Sequence, residues 1–198
     1  MSEIYTTDEY GHRVPVAGDN PFPVKVGEGN AHIGEVGGRC AWIDATIVRP
    51  FDVTQYAAGD VVGTNDAAPI LFAGAARKAE GSGFITHLVV IDSANAVTKA
   101  TLELYLFDQR PDCPVDNTAW APTDGDLDNC FAVISSPTWK VGNPGAAAAG
   151  NALAYIDNLS IPYRCVEGRD LWGILVERGT YTPVASERIR IRLGVAQD

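Results

Sequence analysis

The densest group of carboxylates in this 198-residue chain lies in one loop, between Gln109 and Asn129, which carries Asp112, Asp116, Asp124, Asp126 and Asp128. The run Asp124-Gly125-Asp126-Leu127-Asp128 puts acidic side chains at alternate positions, as the start of an EF-hand calcium loop does. The rest of that pattern fails: Asn129 stands at the sixth position, where glycine makes the turn, and Ser135 at the twelfth, where a glutamate chelates. Asp124, Asp126 and Asp128 remain weak calcium candidates of a non-EF kind. The plainer reading is a helix start, whose dipole favours acidic residues. Thr123, with Asp126 three residues on, is close to a capping box.

Other chemistry is sparse. The histidines are His12, His32 and His87, and the last sits mid-strand, where a packed, hydrogen-bonded ring is expected. There is no G-x-S-x-G elbow, phosphate-cradling glycine loop or H-E-x-x-H motif. Cys40, Cys113, Cys130 and Cys165 are far apart and form no C-x-x-C pair, which leaves zinc without support. A glycosidase needs two carboxylates at a fixed separation, and nothing singles out such a pair. The expectation is a protein with no catalytic residues, no cofactor and no metal.

Charge narrows the partners. The net charge is −10 and the pI about 4.6, which argues against nucleic acid, whose phosphates need a basic surface, and against anionic lipid. No apolar run approaches the roughly 18 residues of a membrane span. The first residues, MSEIYTTDEYGHR, are polar and acidic, unlike a secretory signal. The chain therefore reads as soluble and made in the cytoplasm, where free thiols are expected.

The elements that must position these residues are strands. Residues 1–40 are rich in glycine and proline, with scattered apolar anchors such as Phe22. They read either as a disordered tail or as an extended arm that orders against a neighbour. A β domain is expected over 41–198. AWIDATIVRPF, PILFA, GFITHLVVID and TLELYLF suit pleated, half-buried strands. GFITHLVVID is apolar on both faces, which predicts a central strand covered on both sides, paired as a hairpin with 99–108. One helical turn is expected over 75–80. CFAVIS and ALAYIDNLSI are further strands, and DLWGILVER and RIRIRLGV read as a second hairpin. In the last, Ile189, Ile191, Leu193 and Val195 point inward while Arg188, Arg190 and Arg192 point outward. That row is either a solvated face whose charge guards against aggregation or a docking surface for an acidic partner or for a neighbouring copy. Trp120 and Trp139 flank loops and are contact candidates, whereas Trp172 belongs to the most apolar strand. Eight to ten strands with no long helix predict an all-β fold, an antiparallel β-sandwich of the jelly-roll type with an extended N-terminal arm.

Four ordered blocks carry a resemblance. They are FDVTQYAAGDVVG at 51–63, GFITHLVVIDSANAVTKATLELYLFDQRP at 83–111, DNTAWAPTDGDLDNCFAVI at 116–134 and DLWGILVERGTYTPVASERIRIRLGVAQD at 170–198. Together they resemble a family of tailed-bacteriophage structural proteins encoded beside the major capsid protein. The resemblance covers about residues 51–198 and includes no catalytic motif. It implies a virion component, most naturally a head decoration (cement) protein that braces capsomers. Its implied partners are the major capsid protein and further copies of itself, a trimer being expected, and its location is the capsid surface. A tail, baseplate or glycan-binding module with a jelly-roll fold is the alternative.

Overall fold

A computed structural model of the chain describes residues 5–7, 13–15, 39–94, 96, 98–141 and 151–198. The chain divides into two units, 1–36 and 37–198. In the first, β1 (Tyr5–Thr7) and β2 (Arg13–Pro15) pair antiparallel. Phe22 and most of the expected arm lie outside the described residues.

Among its described residues the second unit is all-β apart from one helical turn, with two antiparallel sheets in a sandwich-like arrangement. The larger sheet contains β3 (Arg39–Val48), β12 (Arg188–Gln197), β5 (Ser82–Asp92), β9 (Ala152–Ile156) and β8 (Lys140–Val141), in that order. β10 (Ile161–Arg164) also pairs with β5. The smaller sheet runs β4 (Ile70–Phe72), β11 (Leu171–Glu177), β6 (Leu102–Phe107) and β7 (Cys130–Ser135).

Period-2 alternation builds the layer between them. β6 contributes Leu102, Leu104 and Leu106, and β12 contributes Ile189, Ile191, Leu193 and Val195, all buried in one core with Phe72, Leu88, Val90 and Leu175. Each such side chain, once fully buried, contributes about 1.5–3 kcal/mol. Gly173 lets the layers close here, because a Cβ on it would lie 2.9 Å from the Phe72 ring and 3.1 Å from Leu104.

Several expectations fail, for identifiable reasons. Neither hairpin exists: β5 pairs with β12, β9 and β10, and β6 pairs with β11 and β7. Likewise β11 and β12 belong to opposite sheets. In both cases the connection crosses from one layer to the other. β5 is central but covered on one side only, with Phe84 46% exposed on the other. A bulge leaves Thr86 without an opposite residue, since His87 faces Gly194 and Ile85 faces Val195. The slip carries His87 to the exposed face, against Trp42 at 5.9 Å, and not into a packed site. Residues 75–80 form turns without a helix, and 152–161 splits into β9 and the start of β10.

The helical turn follows its sequence signature. α1 (Asp124–Asp128) is capped by Thr123, whose side chain accepts from the Asp126 N–H while the Asp126 carboxylate accepts from the Thr123 backbone. The acidic loop folds over the outer face of the smaller sheet. There Trp120 packs edge-on against Tyr105 at 4.4 Å and Phe107 at 6.3 Å, beside Val61, Ile174 and Val176.

Candidate functional site

The two crossings meet in a buried polar network. Arg49 follows β3 and precedes Pro50, and its side chain is fully buried. Its Nη2 donates to Asp116 Oδ2 at 2.8 Å and its Nε to the Tyr56 hydroxyl. That hydroxyl donates to Asp116 Oδ1, which also accepts from the Gly63 N–H at 2.8 Å. The Arg49 guanidinium lies 4.7 Å over the Tyr56 ring. An ion pair taken out of water is stable only when such hydrogen bonds satisfy the remaining valences. Here one valence stays open: Arg49 Nη1 is buried without a partner among the described residues.

The network continues through stacked rings, Tyr56 on Tyr181 at 6.4 Å. The Tyr181 hydroxyl donates to Glu187 at 2.9 and 3.0 Å. Asp92, at the end of β5, is buried with Glu187. It accepts from the Ala94 N–H at 2.6 Å and from Lys99 Nζ at 2.9 Å. Burial, and then the negative charge of Asp92, push the Glu187 carboxyl up to about 7. Burial likewise drives the Tyr56 and Tyr181 hydroxyls far above their ordinary range, so both remain neutral donors.

The residues that carry the sequence resemblance converge here. Tyr56 and Val61 come from the first block, Asp92 from the second, Asp116 and Asn117 from the third, and Tyr181 and Glu187 from the fourth. Backbone bridges join the same segments: Tyr56 to Tyr181, Asp60 to Ala119 and Val61 to Val176. Asn117 adopts φ 55° and its side-chain amide donates to the Thr54 carbonyl. Apart from Arg49 Nη1, the polar atoms of the network are spent on partners from the same chain, so the arrangement fixes loops across one end of the sandwich. Sequence reading had no access to most of it. Arg49, Asp92 and Glu187 look like ordinary surface charges, and the only local hint is an arginine set between an apolar strand and a proline.

The proposed ligands of the acidic loop lie apart in role. Asp126 spends both carboxylate oxygens on the Thr123 cap and on the Asp112 N–H, and these contacts hold it below the usual carboxylate range. Asp124 and Asp128 are exposed. Among the described residues, no three His, Cys, Asp or Glu side chains are grouped to hold a metal ion. Trp120 is half-buried, at the wall of an open cavity of about 680 Å³ with Arg110, Asp112 and Cys113. Trp139 donates its Nε1–H to the Ala100 carbonyl at 2.8 Å and packs against the main core.

Arg188, Arg190 and Arg192 project from the outer face of the larger sheet. Arg190 and Arg192 both reach Asp44 on β3, Arg192 at 2.8 Å, and Arg192 lies 5.0 Å over the Trp42 ring. Partial burial raises the Asp44 carboxyl, but the two arginines outweigh it and hold it below its ordinary value. Arg188 is exposed and has no ion-pair partner among the described residues.

No family model matches the chain, and no curated protein matches it. Among solved structures, a chain from "Capsid of Ralstonia phage GP4" is similar at 15% identity with a TM-score of 0.33, over 81% of this chain and 84% of that one. That superposition is too loose to carry a structural argument.

Proposed function

We propose that this chain is a structural, non-catalytic component of a tailed-bacteriophage virion. In this reading it is a decoration protein that binds the outer capsid surface, braces neighbouring capsomers and acts as a trimer. The carrying observation is the convergence of the four resemblance blocks on one buried network. Residues 60 positions apart, Tyr56 of the first block and Asp116 of the third, are spent on holding loops together, which is what a binding scaffold requires of its most distinctive residues. The strand order β3-β12-β5-β9 facing β4-β11-β6-β7 supports the jelly-roll reading, a fold used by many capsid proteins. Repeated weak contacts over a shell would supply the stabilisation.

The test is to purify virions of the encoding phage and locate the protein by mass spectrometry and particle imaging. Density on the outer shell, with release of the protein weakening the heads, is the expected result. Its absence from purified particles sinks the reading. The open cavity beside Trp120 favours the second reading, a tail or baseplate module that recognises glycans. That reading predicts a change in tryptophan fluorescence on a glycan panel, and density at the tail.

A further inference from the structure

One face of this molecule departs from what its architecture leads one to expect. An antiparallel sheet packed on one side normally turns polar residues to water on the other. The outer face of the larger sheet instead carries Trp42, Phe84, Leu153 and Tyr155, each between 42% and 51% exposed. The register sets Leu153 and Tyr155 beside β5 and the arginine row, while Trp42 stands on β3 across that row and Phe84 stands opposite Ala196 and Pro162. Val89 on β5 lies opposite Arg192 on one side and Tyr155 on the other, and Ile91 lies opposite Arg190 and Leu153. The result is an apolar patch bordered by the arginine row. Contiguous exposed apolar surface marks interaction sites, and aromatic and arginine side chains are enriched in them.

The charge of the face identifies its partner. Three arginines are set against the single carboxylate of Asp44, so the face is positive on a chain of net charge −10. Two such faces repel each other, and the complement must be acidic with an apolar centre. The chain itself presents that shape. On α1, Asp124, Leu127 and Asp128 are spaced i, i+3 and i+4 and so share one side of the turn. All three are exposed, Leu127 at 47%. The turn buries none of its own residues and is pinned by the Thr123–Asp126 cap and by Asn129 donating to the Gly125 carbonyl. It is an apolar knob flanked by carboxylates, held in a fixed shape.

We propose that the outer face of the larger sheet docks the acidic turn of a second copy of this chain. Leu127 seats among Val89, Ile91 and Tyr155, and Asp124 and Asp128 meet Arg188 and Arg190. The turn connects strands of the smaller sheet and the face belongs to the larger one, so the contact is head-to-tail. Such a contact closes into a ring or continues as a filament. This extends the virion reading by naming the contact between copies; it shares only self-association with that reading, whose place on the capsid is tested separately on purified particles.

The test is sedimentation velocity on the full chain over a range of concentrations, at low and high salt. The wild type is expected to form oligomers that weaken as salt rises. Leu127→Asp and Arg190→Glu should each weaken association at least about tenfold. Leu127 is exposed and its loss should leave circular dichroism and the unfolding midpoint unchanged; Arg190→Glu also gives up the ion pair to Asp44, so it should keep the circular dichroism of the wild type with a slightly lower midpoint. Adding Asp128→Arg to Arg190→Glu should restore part of the lost association. A wild type that stays a single copy overturns the proposal. So does association that neither single variant weakens, or a charge-swapped pair with no recovery.

Discussion

Glu187→Gln should stabilise the protein at alkaline pH and leave it almost unchanged in acid. The Glu187 carboxyl is 2% exposed, receives the Tyr181 hydroxyl and the Val184 N–H, and lies beside buried Asp92, which Lys99 partly neutralises. Burial and the Asp92 charge raise it from an ordinary 4.5 to about 7. A raised folded value means that the native state holds this proton more tightly than the unfolded chain does. The associated stabilisation is complete below about 4.5 and is lost as pH rises to about 7. At about 1.4 kcal/mol per unit, the loss amounts to about 3 kcal/mol. A glutamine carbonyl still accepts from Tyr181, and its amide can donate to Asp92 without ever becoming charged. Urea unfolding of both proteins, followed by tryptophan fluorescence at pH 5, 6, 7 and 8, isolates Glu187 and its buried neighbour Asp92, because the titrations of distant groups cancel between them. The variant should gain on the wild type across that range, by up to about 3 kcal/mol at pH 8. A difference that does not change with pH, or one that shrinks as pH rises, refutes the reasoning.

Two further outcomes follow from the same geometry. Asp116→Ala leaves the buried Arg49 guanidinium without its counter-charge and should cost about 3–5 kcal/mol by denaturant titration; Arg49→Met in the same chain should recover part of it. Gly83→Ala should cost at least about 1–3 kcal/mol and lower the unfolding midpoint, because a Cβ there would lie 2.4 Å from the Ala196 carbonyl and 2.6 Å from the Tyr163 hydroxyl.

The local elements of this fold were legible and the pairings were not. Alternation along RIRIRLGV placed four inward side chains correctly, and Thr123 with Asp126 announced the cap of α1. Those signals depend on neighbours a few residues apart. Strand pairing depends on where a connection goes. The segment after β5 looks like a hairpin turn because it opens on the turn residues Asp92-Ser93-Ala94-Asn95, and the segment after β11 because it is polar and holds Gly179 and Pro183. They cross between layers because Asp92, Lys99, Tyr181 and Glu187 satisfy one another only at that crossing. The bulge at Thr86 was equally silent, since its cause lies in β12 and in the approach of Trp42 and His87 over Gly194. Of the candidate site, the arginine row and Trp120 were visible by composition. The apolar surroundings of that row, drawn from β5 and β9, needed the register.

The central place of β12 bears on how the chain can be made. This ten-residue strand lies between β3 and β5 and pairs with both along most of its length, yet it follows every one of its partners in the sequence. A nascent chain emerging from the ribosome must hold β3 and β5 apart, with their apolar faces uncovered, until residue 197 is free. Long-range closure of this kind is slow and exposed to aggregation. Early termination anywhere before β12 therefore yields a product that lacks the middle of its larger sheet, and the finished molecule is gained in one late step.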